Sequence, residues 1–120
     1  MTTIRGKVIR GAQLGRKMGF PTANIDAEGL TEIENGVYAS EVEYDGRLYS
    51  AMSNIGLRPS VDGTTRLLET HLFGFEGDLY GQQIEVHLVR KIRDEKRFAS
   101  IDELRQQLER DAAECQKEQE

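Results

Sequence analysis

One cysteine, two prolines and no tryptophan stand among the 120 residues. The lone thiol, Cys115, excludes an intramolecular disulfide and any zinc site built from several cysteines. It also agrees with a reducing, cytoplasmic compartment. No stretch approaches the ~18 consecutive apolar residues of a membrane span, and Met1 to Arg10 lacks the apolar core of a secretory leader. Positive charge is in short supply too. A net charge of −5 argues against a generally basic nucleic-acid binder, though not against a local basic patch. What remains is 38% hydrophobic and 31% charged, the balance of a small soluble globule rather than a disordered chain. The length predicts a single domain over residues 1–120 with one hydrophobic core.

Short apolar stretches separated by turn signals fill the first 92 positions, and none sustains a helical period. That pattern predicts short antiparallel strands and an all-β barrel or sandwich. Strands are expected over Ile4–Ile9, Gly36–Tyr44, Leu48–Asn54, Arg66–Phe75 and Gln83–Ile92. Asp45-Gly46 is a favoured hairpin pair because both positions tolerate positive φ. Glu76-Gly77-Asp78 and Asp62-Gly63 mark further turns. The last third differs. Ser100-Ile101-Asp102-Glu103 fits a capping box. Ile101, Leu104, Leu108, Ala112 and Cys115 then recur at helical spacing, which predicts a helix over about 100–116 lying on the barrel by one apolar stripe.

Three constellations carry candidate chemistry. Gly11 to Asn24 holds three glycines with Arg16 and Lys17, so exposed N–H groups and a cation can cradle phosphate. Its spacing is neither a P-loop nor a dinucleotide fingerprint, and a plain glycine loop is the alternative. Within it, Pro21 favours extended geometry at Phe20. Thr22 and Asn24 then face one way in an extended segment. A hydroxyl and an amide oxygen on one side suit a hard cation that also carries phosphate oxygens; a turn bonded to its own backbone is the other reading. In Leu67–Phe73, alternation puts Leu67, Glu69 and His71 on one face and Leu68, Thr70 and Leu72 on the other. Glu69 there can act as a general base at a cavity margin or simply face solvent. His71 and His87 read as ordinary surface or cross-strand residues. The charged run Arg90–Phe98 predicts a loop or a movable flap with Phe98 as an aromatic contact.

Taken in order, these pieces resemble the riboflavin kinase (flavokinase) family from about Ile4 to Asp111. The resemblance rests on Gly19-Phe20-Pro21-Thr22-Ala23-Asn24, Gly36-Val37-Tyr38, Asn54-Ile55-Gly56-Leu57-Arg58-Pro59-Ser60, Leu68-Glu69-Thr70-His71-Leu72, Gly77-Asp78-Leu79-Tyr80-Gly81 and Arg93-Asp94-Glu95-Lys96-Arg97-Phe98. It implies a six-stranded antiparallel Greek-key barrel (about 4–92), a flap (about 90–99) and a C-terminal helix packed outside. It implies conversion of riboflavin and ATP to FMN and ADP with Mg²⁺, or Zn²⁺ or Mn²⁺ in its place. Residue by residue, Glu69 looks like the catalytic carboxylate. Thr22 and Asn24 look like ligands of the metal and the nucleotide phosphates. Gly11, Arg16, Leu72 and Tyr80 look like further nucleotide contacts, with Lys17 sharing the task of Arg16. Arg93, Phe98 and Glu103 look like flavin-side residues.

Small molecules are the expected partners of a monomer, with no nucleic acid or membrane involved. An FMN adenylyltransferase module, to which bacterial members are commonly fused, is not expected in this chain. Two rival readings stand beside the kinase: a flavin carrier without catalysis, and a nucleic-acid-binding barrel. Thr22, Asn24 and Glu69 together disfavour the first. The acidic balance and the few aromatics disfavour the second.

Overall fold

A computed structural model describes residues 2–10, 19–60 (Ser60 by its backbone only) and 63–117. Six strands precede one helix: β1 (Thr2–Lys7), β2 (Ala23–Asp26), β3 (Gly36–Tyr44), β4 (Arg47–Ser60), β5 (Gly63–Leu72), β6 (Gln83–Arg93) and α1 (Ile101–Lys117). All pairings are antiparallel, in the order β1-β6-β3-β4-β5-β2. Three hairpin-connected strands, β3-β4-β5, are followed by β6 returning beside β3, which is the Greek-key order. The two outer strands come together across a seam, where Ile9 and Asn24 form a lone bridge. Here Gly6 is required, since a Cβ would press to 2.6 Å from Ile25. The barrel is thus nearly closed.

The predicted Gly36–Tyr44 strand is observed with the same ends. Its turn has Asp45 at φ 51° and Gly46 at φ 75°, the geometry a two-residue hairpin of this hand demands. Other edges shift. β1 starts and stops two residues early, leaving Ile9 in the seam bridge. β4 runs on to Ser60, and β5 spans 63–72 rather than 66–75. The turns after β5 fall at Phe73-Gly74 and Tyr80-Gly81, with a bend at Gly77. β6 continues through Arg93, so irregular backbone begins at Asp94 rather than at Arg90. β2, only four residues long, had no strand signal of its own.

Alternation sorts the side chains into two layers. Inside lie Ile4, Ile25, Tyr38, Val42, Ile55, Leu68, Val86 and their neighbours. Three buried hydroxyls cross this interior as a ladder, Ser40–Ser53 at 2.7 Å and Ser53–Thr70 at 2.6 Å, which satisfies polar groups that burial would otherwise penalise. Tyr38 is buried beside them, and that burial raises its phenol pKa; its hydroxyl donates to the Glu34 carbonyl at 2.7 Å. Outside, Val37, Ala39 and Met52 meet Ala112 and Cys115 of α1. Arg66 secures the 27–35 connection by donating to the carbonyls of Ala27 (3.2 Å), Leu30 (2.6 Å) and Ile33.

The predicted cap on α1 is present. The Glu103 N–H donates to Ser100 Oγ at 3.1 Å, and Glu103 Oε2 accepts from the Ala99 N–H at 2.9 Å. The predicted stripe is only half right. Ile101 is 58% exposed, and full burial is reached only at Ala112 and Cys115, so the C-terminal half of the helix seats on the sheet. Asp111 is buried there as well. Arg93 meets it with three hydrogen bonds of 2.8–3.1 Å, and Gln107 adds one of 2.9 Å.

Candidate active site

A cavity of about 240 Å³ opens at the seam of the barrel. Val8, Ile9 and Arg10 form one wall, and Pro21, Thr22, Ala23 and Asn24 form the other. Leu72 and Tyr80 close the rim. The sequence reading singled out Thr22, Asn24, Leu72 and Tyr80 as nucleotide residues, and all four line this one space. Gly11 and Arg16 lie outside the described residues, as does Lys17; the chain enters their segment from Arg10, on the cavity wall. Arg10 itself was not anticipated. Its guanidinium stacks 4.1 Å from the Tyr80 ring centroid, a cation–π contact at the mouth. Tyr80 is further held by its N–H, which donates to Asp78 Oδ1 at 2.9 Å.

β2 is short but well placed. His71, facing outward from β5, donates through Nδ1 to the Pro21 carbonyl at 2.8 Å. Its ring packs edge-on between Phe20 and Phe73, each centroid 5.3 Å away. His71 therefore fixes the point at which the chain enters β2, a cross-strand role of the kind expected for it. The ladder then sets Asn24 directly opposite Glu69, and Glu69 directly opposite Asn54 on β4. Directly opposed residues of an antiparallel pair lie about 4.5–5.5 Å apart at Cα. One row thus crosses the outer face of the sheet, Asn54–Glu69–Asn24, with Glu69 in the middle.

Both flanking amides carry a buried oxygen with no hydrogen-bond partner among the described residues, Asn24 Oδ1 and Asn54 Oδ1. Such orphans are rare in native folds and call for an occupant. Asn24 lies both in this row and on the cavity wall, so it joins the two. Thr22 and Asn24 both line the cavity, and a hydroxyl and an amide oxygen are hard donors that suit Mg²⁺. Glu69 is partly buried, and Arg58 binds one of its oxygens, Oε1, through Nε and Nη2, both at 2.7 Å.

Of the flavin-side candidates, Arg93 stands nearest this row in the strand register. Arg93 stands opposite Val37, which stands opposite Asn54. Its guanidinium is 5.9 Å from the Phe98 ring centroid while remaining paired with Asp111 at 2.8 Å. Glu103 is at the helix start, capping Ala99. The segment between them begins with a Lys91–Asp94 ion pair of 2.6 Å. That hydrogen bond, with the positive charge of Lys91, lowers the Asp94 pKa; the same bond raises that of Lys91. On the other flank of the barrel, Glu43, Glu85 and His87 each bring a ligand-type atom within 4.8 Å of one another, with Glu85 paired to Arg5 at 3.1 Å.

The family model for riboflavin kinase (Flavokinase) matches residues 1–118. The chain belongs to the riboflavin kinase family. Among curated relatives it is 45% identical over 109 residues to the bifunctional riboflavin kinase/FMN adenylyltransferase of Haemophilus influenzae, covering 90% of this chain and 35% of that protein. It is 43% identical over 112 residues to the RNA-binding riboflavin kinase RibR of Bacillus subtilis, covering 92% and 48%. The chain thus spans between about a third and a half of these relatives. Among solved structures, riboflavin kinase from Trypanosoma brucei superposes with a TM-score of 0.67 at 26% identity, covering 96% of this chain and 77% of that one. A structure described as a macrolide-efflux protein from Streptococcus pneumoniae superposes at 0.78 with 33% identity, covering 92% and 37%. No helix among the described residues is long and apolar enough to cross a membrane. Within this riboflavin kinase fold, the Asn54–Glu69–Asn24 row and the seam cavity are the candidate site.

Proposed function

We propose that this chain transfers the γ-phosphate of MgATP to the ribityl 5′-hydroxyl of riboflavin, yielding FMN and ADP. One observation carries the reading: Asn24, whose buried Oδ1 has no hydrogen-bond partner among the described residues, stands opposite Glu69 on the ladder and on the wall of the seam cavity. Thr22 and Asn24 would hold the divalent cation. When bound, that ion neutralises charge on the phosphate oxygens.

The chain's own residues do the rest. The seam walls and Tyr80 hold the nucleotide; the family resemblance adds Gly11 and Arg16, outside the described residues, as its phosphate contacts. Glu69 takes the proton of the 5′-hydroxyl as its oxygen bonds to the γ-phosphorus and the bond to the ADP oxygen breaks. Arg93, Phe98 and Glu103 bound the flavin side. Most of the acceleration comes from placing two reactants end to end, because phosphoryl transfer asks little covalent chemistry of the protein. The segment from Asp94 to Phe98 shields the reacting centre from water.

Incubation with riboflavin and MgATP, followed by chromatographic separation of the flavins, tests this. FMN formation supports the kinase. Tight flavin binding without FMN identifies a carrier, and neither binding nor turnover rejects the reading. Glu69→Gln is expected to lower kcat by roughly 10²–10⁴-fold.

A further inference from the structure

The segment Asn54–Ser60 carries part of the resemblance to the family, yet the reaction as proposed uses none of it. It lies on β4. Alternation puts Asn54, Gly56 and Arg58 on one face, the face that carries Glu69. Asn54 is the direct neighbour of Glu69, and Arg58 is four residues further along, opposite Thr65. Arg58 nevertheless folds back along the strand to reach Glu69. Its path is open because residue 56 has no side chain: a Cβ there would stand 2.9 Å from Arg58 Nη1 and would collide with the Glu95 carboxylate.

Four contacts hold the guanidinium in this pose, two of them to Glu69. Nη1 donates to the Leu57 carbonyl at 2.9 Å, Nη2 stands 3.7 Å from Glu95 Oε1, and Nε and Nη2 both reach Glu69 Oε1. The paired side chains are only 23% and 17% exposed, so solvent screens them less than a surface pair. Both Glu69 contacts fall on the same oxygen. Oε2 makes no hydrogen bond among the described residues. A carboxylate gripped by one oxygen cannot turn freely about its terminal bond, and its second oxygen keeps a fixed direction. Proton abstraction from a bound hydroxyl needs that fixed direction.

We propose that Arg58 is a positioning residue for Glu69, which orients the carboxylate through Oε1 so that Oε2 receives the substrate proton. Gly56 is the condition that makes this reach possible. The inference rests on the reading of Glu69 as the base, and the experiment separates the two.

The test measures kcat, KM for riboflavin and for MgATP, and Tm for Arg58→Met, Arg58→Lys, Glu69→Gln and the Arg58→Met/Glu69→Gln double variant. Methionine keeps the packing of the stem. Arg58→Met is expected to lower kcat roughly 10–100-fold, the cost of slightly misplacing a reacting group, with both KM values within about two-fold. Lysine keeps the charge but not the fork and is expected to restore kcat only in part. In the Glu69→Gln background the Arg58→Met penalty is expected to vanish, because no base remains to be oriented. Additive penalties overturn the proposal. So does a raised KM for MgATP at unchanged kcat, which would make Arg58 a phosphate contact, and so does a loss of activity that follows Tm alone. Full turnover by Glu69→Gln overturns the base and the clamp together, whereas an impaired Glu69→Gln beside a fully active Arg58→Met removes the clamp alone.

Discussion

Removing the carboxylate of Asp111 should unseat the helix. Asp111 is 2% exposed and receives three hydrogen bonds from Arg93 and one from Gln107. Arg93 ends β6, and Asp111 lies in the second half of α1, where Ala112 and Cys115 meet the sheet. In Asp111→Ala the guanidinium, whose side chain is 18% exposed, keeps its charge and loses the anion that compensates it. Breaking a buried pair in this way costs about 3–5 kcal/mol. A domain of this size has roughly 5–15 kcal/mol in total, so a fifth or more of the stability is at stake. One kcal/mol moves Tm by about 3–5 °C at this length, which puts the expected drop near 10–20 °C. Thermal melts followed by far-UV circular dichroism read it directly. The double variant Arg93→Met/Asp111→Leu, which removes both charges and restores apolar volume, should recover most of the loss. A fall below about 1 kcal/mol for Asp111→Ala would refute the reasoning, because that is the worth of a solvent-screened surface pair. A double variant no better than the single one would refute it as well.

Thr22→Ala and Asn24→Ala should each raise the Mg²⁺ concentration needed for half-maximal turnover, and an unchanged magnesium titration counts against both as ligands. Ser100→Ala should cost about 1 kcal/mol by leaving the Glu103 N–H uncapped, read as a drop in Tm of a few degrees with kcat little altered. Asp94 and Glu114 both have lowered pKa values, Asp94 through its hydrogen bond with Lys91 and Glu114 chiefly through its hydrogen bond with Arg90 and the charge of Lys117. Their stabilising contribution is therefore complete above the ordinary carboxylate range and is lost as pH falls through the depressed folded values. Protection factors of residues 94–99, which divide out the intrinsic pH dependence of exchange, should fall on acidification in that window and with added salt; protection indifferent to both would dispose of the ion pairs as anchors.

What the sequence disclosed depended on how local each cause was. β3, its Asp45-Gly46 turn and the Ser100 cap are each decided within a few residues, and each is found where expected. β2 was missed as a strand because Ala23-Asn24-Ile25-Asp26 is too short to show alternation. It becomes a strand only by pairing with β5, more than forty residues later. Ile101 was assigned to the buried stripe because periodicity reports a face of the helix and not where the sheet beneath it ends. Asp111, on that same face, ran against the apolar pattern; its cause is Arg93 on another element. Thr22, Asn24, Leu72 and Tyr80 were legible as candidates through the family resemblance, and the structure brings them to one cavity. Arg10, Asn54 and Arg58 were not singled out for a role. Each acquires significance only from a neighbour across a ladder or a loop, such as Glu69, eleven residues from Arg58 and on the next strand.

A fully closed barrel has no unpaired backbone edge, but among the described residues this one is joined at its seam by the single Ile9–Asn24 bridge, and its cavity opens there. Asn24 belongs to the short strand β2, with Thr22 just before it; among the described residues β2 pairs with β5 along one edge and meets Ile9 in a single bridge at the other. Glu69 belongs to a strand laced on both edges. A nucleotide lodged there, as the proposed function has it, would act as the missing stitch, joining the two edge strands across the seam. Melting temperature would then climb with the concentration of MgATP even in a variant that cannot turn over, so a fluorescence melt could report occupancy with no riboflavin in the tube.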